Sequence, residues 1–236
     1  MPLRNIQYRR LTLGFGVLCL LLVSRGSIGS ASTALADEGA ILKMKHAYPT
    51  RDEYPYLSGC CAVKTEELLL KRESRALPPN LARAREAWKK KLGKTSWVWL
   101  HHFCAGLNRI GRFERSLASG VGSRWNMTEK QRGTLLYALK EFEMIEPPFR
   151  KAKSPLYAET IKNHAKTLRL LGRTPEAMSK IKEGIAADPA KAALYLYLAR
   201  ILLEMGDKKQ AKQVLELGYK RTKGSNRIGK MLSGLR

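Results

Sequence analysis

Residues 158–191, AETIKNHAKTLRLLGRTPEAMSKIKEGIAADPAK, run straight into residues 192–225, AALYLYLARILLEMGDKKQAKQVLELGYKRTKGS. Laid over one another at an offset of 34 positions, the two stretches match at Ala165/Ala199, Leu168/Leu202, Gly172/Gly206, Ala177/Ala211, Ile181/Leu215 and Gly184/Gly218. A period of this size marks a stacked repeat. Gly172 and Gly206 follow apolar stretches of helical spacing, where a left-handed residue is needed to close a helix. Thr174-Pro175-Glu176 and Asp207-Lys208-Lys209-Gln210 then carry start signals for a second helix. Each unit therefore reads as a helical hairpin. The small alanines allow close approach, and Leu168, Ile181, Tyr195, Leu198, Leu202 and Leu215 fill the space beside them. Pro189 ends the first unit.

Working outward, the same positions are partly matched upstream by Leu100, Phe103, Cys104, Leu107 and Gly111. The spacing predicts a helix over 97–110 closed by Gly111, then a long connection, residues 111–127, containing Gly120, Val121 and Gly122. A second helix over 129–145 follows, opened by the capping-box pattern Thr128 to Gln131 and stopped by Pro147-Pro148. Ser154-Pro155 repeats a start signal. At the other end Ser225-Asn226 can cap a short helix whose Ile228, Met231, Leu232 and Leu235 share a face, as the cap of a repeat stack requires. Before the repeats, Thr65 with Glu66 and Glu67 predicts a helix to about Ala76, and Asn80 a second one over 81–92, ended by Gly93. Residues 37–58, with Tyr48-Pro49 and Tyr54-Pro55-Tyr56, read as irregular. No window alternates as a strand would, so the expected class is all-α.

The 34-residue pattern resembles the tetratricopeptide repeat family, with units at 158–191 and 192–225 and a degenerate one within 96–148. The resemblance implies an α-solenoid of about three hairpins. Its N-terminal part, 37–95, is irregular with two short helices, and a capping helix closes 149–236. In that family the first helix of each pair lines a concave groove. Carried over, the groove positions are His101, Asn108 and Arg109 in the degenerate unit, Lys162, Lys166 and Arg169 in the next, and Arg200 in the last. Independently of the resemblance, Lys162, Lys166 and Arg169 form one stripe at i, i+4, i+7 spacing. The segment from His101 to Asn108 is also similar to one in exported bacterial repeat proteins of undefined role.

The first 36 residues read as an export signal. Arg4, Arg9 and Arg10 precede an apolar run, residues 11–23, too short for a span of roughly 20 residues, and Ala34-Leu35-Ala36 forms a cleavage pattern. The chain has 44 Lys+Arg against 20 Asp+Glu and a formal net charge of +24. Cleavage after Ala36 removes Arg4, Arg9, Arg10 and Arg25 with no acid, so the mature chain stays strongly basic. The expected partner is an acidic protein segment; the alternative is an anionic polymer, a glycan, a lipid headgroup or nucleic acid, the last largely removed by export. Lys89-Lys90-Lys91 at a helix end suits the helix dipole as well as it suits phosphates.

Cys19 lies in the signal. Cys60, Cys61 and Cys104 therefore meet an oxidising compartment, where Cys104 is expected to pair with Cys60 or Cys61. His101 and Cys104 invite a competing reading as a thiol or metal enzyme, since imidazole and thiolate bind transition metals and form nucleophilic pairs. Adjacent His102 points elsewhere on a helix. His164 occupies a normally apolar position and reads as a packed core histidine. No nucleophile-base motif, paired-acid site or phosphate loop is present elsewhere, so the sequence reads as non-catalytic, with no cofactor and no metal.

Overall fold

Stacked hairpins build the chain described here, residues 49–235 of a computed structural model. The expected export signal and its cleavage site lie outside the described residues. A 3-10 turn over Arg51–Tyr56 leads into α1 (Gly59–Arg72), α2 (Pro79–Leu92), α3 (Lys94–Ala118), α4 (Glu129–Lys151) and α5 (Tyr157–Leu170). There follow α6 (Thr174–Ala187), α7 (Ala192–Glu204), α8 (Lys208–Arg221) and α9 (Asn226–Ser233). The class is all-α, a tetratricopeptide-like stack.

Each helix packs on its successor, giving the pairs α1/α2, α3/α4, α5/α6 and α7/α8, with α9 closing against both α7 and α8. First helices also touch across pairs, α1 on α3, α3 on α5 and α5 on α7, whereas α2, α4, α6 and α8 make no contact with one another among the described residues. A stack drawn together along one side curves toward that side, so the first helices line the inner face.

Two kinds of glycine make the repeat work. Gly172 and Gly206 both have φ +81°, the left-handed conformation that closes α5 and α7. Gly184 and Gly218 instead permit close approach: a Cβ would sit 2.6 Å from Ile161 Cγ2 at the first and 2.6 Å from Tyr195 Cγ at the second. Ile161 and Tyr195 are themselves equivalent across the period, and both are fully buried. At the second-helix starts, Asp207 caps α8 by accepting from the Gln210 amide at 2.8 Å. Arg173 takes the matching place before α6, which leaves Thr174 as the first helical residue.

Several boundaries differ from the sequence expectation, each for a packing reason. Helix α1 begins at Gly59, not at Thr65, because Cys60, Cys61 and Val63 are drawn into the core and Thr65 is itself 3% exposed inside the helix. It ends at Arg72, short of Ala76, with Ser74 at φ 53°. Helix α2 takes Pro79 at its first turn, ahead of Asn80. Helix α3 runs through Gly111 for two more turns to Ala118, since Phe113 is buried at 1%. Helix α4 passes Pro147 and Pro148 to Lys151. Those prolines leave the carbonyls of Glu143 and Met144 without helical donors, but both residues are exposed, so water can serve them, while Ile145 and Phe149 on either side are fully buried. Burial of these two side chains offsets part of the cost of two prolines inside the helix. The Ser154-Pro155 signal lies ahead of the helix: Ser96 Oγ donates to Ser154 Oγ at 2.8 Å, and α5 starts only at Tyr157. The largest difference is that α1 and α2 form a pair of their own, so the stack has four hairpins where about three were expected.

Cys61 and Cys104 form a disulfide, 43 residues apart with Cα atoms at 5.4 Å, and Cys60 is a buried free thiol. The bond joins α1 to α3, first helix to first helix. Closing a loop of this length stabilises by about 4 kcal/mol in the chain-entropy model. Non-reducing peptide mapping should therefore find the Cys61–Cys104 linkage with Cys60 alkylatable only after unfolding, and Cys104→Ala should lower the urea midpoint substantially. A Cys60–Cys104 linkage in the native protein would contradict this pairing.

Candidate binding groove

The inner face between α5 and α7 carries three of the sequence-derived groove residues on one cavity of about 340 Å³, lined by Lys162, Lys166 and Arg200 together with Asn163, Leu196 and Tyr197. Arg227 closes its far end, because α9 folds back against α7. A shallower depression continues from it past Arg200 and Arg227 to Lys230 and Met231. The walls owe their shape to local sequence. Helix α7 is apolar on almost every side, with Leu194, Tyr195, Leu198, Ala199, Ile201 and Leu202 buried, so only Tyr197 and Arg200 reach the groove with their polar atoms. Helix α5 buries four polar residues instead, three of which bond to backbone one turn earlier: Thr160 Oγ1 donates to the Leu156 carbonyl at 2.9 Å, Asn163 Nδ2 to that of Glu159 at 2.8 Å and Thr167 Oγ1 to that of Asn163 at 2.9 Å.

The cations of the groove fall into two groups. Lys162 pairs with Glu159, Lys166 with Glu114 on α3 at 2.5 Å, and Arg169 with Glu204 on α7. Arg169 also lies over the Tyr197 ring at 5.8 Å. Arg200, Arg227 and Lys230 are exposed and have no acidic partner among the described residues. The stripe read from the sequence is thus largely neutralised from within, and the uncompensated charge sits at the C-terminal end. Burial raises the Tyr197 phenol above its ordinary range, opposed by Arg169 and by Arg124 from the connection between α3 and α4.

The groove residues of the first expected unit lie elsewhere. Asn108 is 2% exposed, and its Nδ2 donates to Glu53 Oε2 at 2.8 Å. Arg109 is 6% exposed, stacked at 4.9 Å over Tyr137, and burial holds its guanidinium below the ordinary value. The segment before α1 covers the α3 face that a groove would need. Glu53 anchors it, accepting also from Arg112 Nε at 2.7 Å and Arg115 Nη2 at 3.0 Å. Burial alone would raise the Glu53 pKa, but the bonds from Arg112, the Thr50 amide and Asn108 win and hold it at about 2.

His101 is kept neutral by burial, with neighbouring His102 adding to the effect, at a pKa of about 4; its Nδ1 lies 2.9 Å from the Val98 carbonyl. His102 Nδ1 meets Glu141 Oε2 at 2.7 Å. Cys104, the proposed nucleophile or thiolate ligand, has its sulfur in the disulfide. No cluster of three or more metal-ligating side chains occurs among the described residues. On the opposite side of the stack a cleft of about 430 Å³ holds His164, 4% exposed, whose Nδ1 lies 3.0 Å from Glu146 Oε2. Lys180 donates to the same carboxylate at 3.1 Å. Burial pushes Glu146 up, and these two partners outweigh it and lower its pKa. This cleft is closed by its own ion pairs.

Sequence reasoning missed Glu53, Tyr197 and Arg227. Tyr197 was marked only by falling at the period of Asn163; Arg227 had no local signal, because only the return of α9 against α7 brings it into the groove.

Residues 168–233, which take in α6 to α9, match the tetratricopeptide repeat family. No curated protein matches the chain. Among the described residues no helix is long and apolar enough to cross a membrane.

The Glu53 anchor makes a pH prediction. Its carboxylate has a folded pKa of about 2 against an ordinary value near 4.3, so its contribution is complete above the unfolded value and is lost as pH falls through the folded one. Glu53→Gln should cost on the order of 2 kcal/mol at pH 7, with a gap to wild type that narrows from about pH 4 downward. Urea midpoints between pH 7 and pH 2 check this; a gap independent of pH would contradict it.

Proposed function

We propose that the protein is an exported, non-catalytic interaction scaffold that holds an acidic protein segment in the groove between α5, α7 and α9. Tetratricopeptide repeats over residues 168–233 support a protein-interaction role. The acidic partner rests mainly on one observation: Arg200, Arg227 and Lys230 gather beside Leu196 and Tyr197 with no acidic partner among the described residues. Three like charges lining one depression without compensation repel one another, and an anionic ligand relieves that repulsion. Lys162 and Lys166 add to it, since their present partners Glu159 and Glu114 are partly exposed and can exchange with a ligand carboxylate. Export is supported by the basic N-terminal region, the short apolar run and the Ala34-Leu35-Ala36 pattern, together with a disulfide that suits an oxidising compartment.

An anionic polymer such as a glycan or a lipid headgroup is the second reading, favoured by the high net charge. Position separates the two. The double variant Arg200→Glu/Arg227→Glu should bind a fluorescein-labelled, glutamate-rich decapeptide at least about tenfold more weakly with its melting temperature almost unchanged, because exposed charges contribute little to folding. Replacing Lys89, Lys90 and Lys91 by Glu alters more charge far along the chain and should leave most of the binding intact. Equal losses in the two variants would show diffuse attraction and overturn the groove.

A further inference from the structure

On α3 the residues Asn108, Arg112 and Arg115 follow i, i+4, i+7 spacing and form one stripe, as Lys162, Lys166 and Arg169 do on α5. All three converge on a single carboxylate of the chain itself. Glu53 Oε2 accepts from Asn108 Nδ2 at 2.8 Å and from Arg112 Nη2 at 2.6 Å, while Oε1 accepts from Arg112 Nε at 2.7 Å and from Arg115 Nη2 at 3.0 Å. Three residues on, the Tyr56 ring lies 4.8 Å from the Arg115 guanidinium. Glu114, next to Arg115, reaches Lys166 on the α5–α7 cavity at 2.5 Å, so α3 adjoins the groove by direct contact.

The turn Arg51–Tyr56 is pinned at its ends, where Pro49 is buried and Leu57 packs on the core. Within it Glu53 is the one buried side chain, and Tyr56 is 69% exposed. Its middle is thus held on α3 by charge-assisted bonds rather than by buried apolar area, and such bonds are available to any other carboxylate. The fit is also incomplete. Asn108 Oδ1, in a side chain 2% exposed, has no hydrogen-bond partner among the described residues. A buried acceptor left so is costly, and an extended peptide carries backbone N–H groups that can meet it.

We propose that the Asn108–Arg112–Arg115 face of α3 is a further station for the acidic partner segment, at which Glu53 is the chain's own stand-in and is displaced when the partner binds. The assignment rests on the groove reading above. A partner glutamate takes over the bonds that Glu53 gives up, and an aromatic residue three positions later replaces Tyr56 on Arg115. Tethering gives Glu53 a high effective concentration, so a partner displaces it only when the α5–α9 end of the groove holds the same segment. Until then the occupied station lowers the apparent affinity by the fraction of molecules in which it is open.

The test uses a labelled, glutamate-rich peptide of sixteen residues, with a tyrosine three places after a central glutamate, and the whole chain. Bound to wild type, it should speed hydrogen exchange about tenfold at the Glu53 and Leu57 amides, which donate to the Thr50 and Tyr54 carbonyls at 3.0 Å. Glu53→Gln should bind the peptide about tenfold more tightly than wild type. Tyr56→Ala, which alters no charge and leaves Glu53 in place, should shift the affinity the same way by a smaller factor, and it decides the matter if Glu53→Gln does not fold. Adding Arg112→Gln and Arg115→Gln to either variant should cancel the gain. Strap amides that ignore a bound peptide, or a gain that survives the loss of both arginines, overturn the station; the groove still stands if Arg200→Glu/Arg227→Glu abolishes binding. If neither wild type nor the two released variants bind the peptide, the groove reading falls and the station with it.

Discussion

A hairpin of two short helices cannot bury both its apolar faces, and the whole molecule follows from how that constraint is met. The second helix of each pair comes close enough to the first that no side chain fits at Gly184 or Gly218, and Ile161 and Tyr195 occupy the space so made. What the pair leaves uncovered is buried by the next pair. Contacts between first helices then close one side of the stack more than the other, and the inner face that results is where Tyr197, Arg200 and Arg227 meet. Shape comes from the backbone period; the ligand chemistry comes from the residues that the period does not need for packing.

Carboxylates are scarce in this chain, 20 against 44 basic residues, so their placement decides which cations remain available. Glu53 draws Arg112 and Arg115 to the segment before α1. Glu146 draws His164 and Lys180 into the cleft on the outer side. Glu114 and Glu204 tie Lys166 and Arg169 across neighbouring pairs. Within the groove, Arg200, Arg227 and Lys230 are the cations left without an acidic partner among the described residues. Partly exposed pairs of this sort add little stability. Their larger effect is to set the pattern of potential along the inner face.

How much of this was legible depended on range. The left-handed glycines at 172 and 206 and the capping aspartate at 207 were readable because each acts through its own few neighbours. The all-α class and the 34-residue units followed from them. Local rules failed where long-range packing outweighed them: Gly111 and the pair Pro147-Pro148 read as stops, yet Phe113, Ile145 and Phe149 keep α3 and α4 helical past them. The pair α1/α2 was hidden because its start is marked by cysteines that pack inward rather than by a polar cap. In the groove, Lys162, Lys166 and Arg200 fell on one cavity because they follow the period, while Asn108 was lost to Glu53, 55 residues away, a partnership that no spacing announces. Arg227 entered for the same reason in reverse, through tertiary contact alone.

The central claim is that the inner face of α5, α7 and α9 is the binding surface. Backbone amide shifts recorded while the glutamate-rich decapeptide is titrated into the isotopically labelled protein test it most directly. The account predicts shifts clustered at Lys162, Lys166, Tyr197, Arg200 and Arg227, with the outer cleft around Glu146, His164 and Lys180 silent. Shifts centred on that outer cleft, or scattered over basic residues on every face, would contradict it.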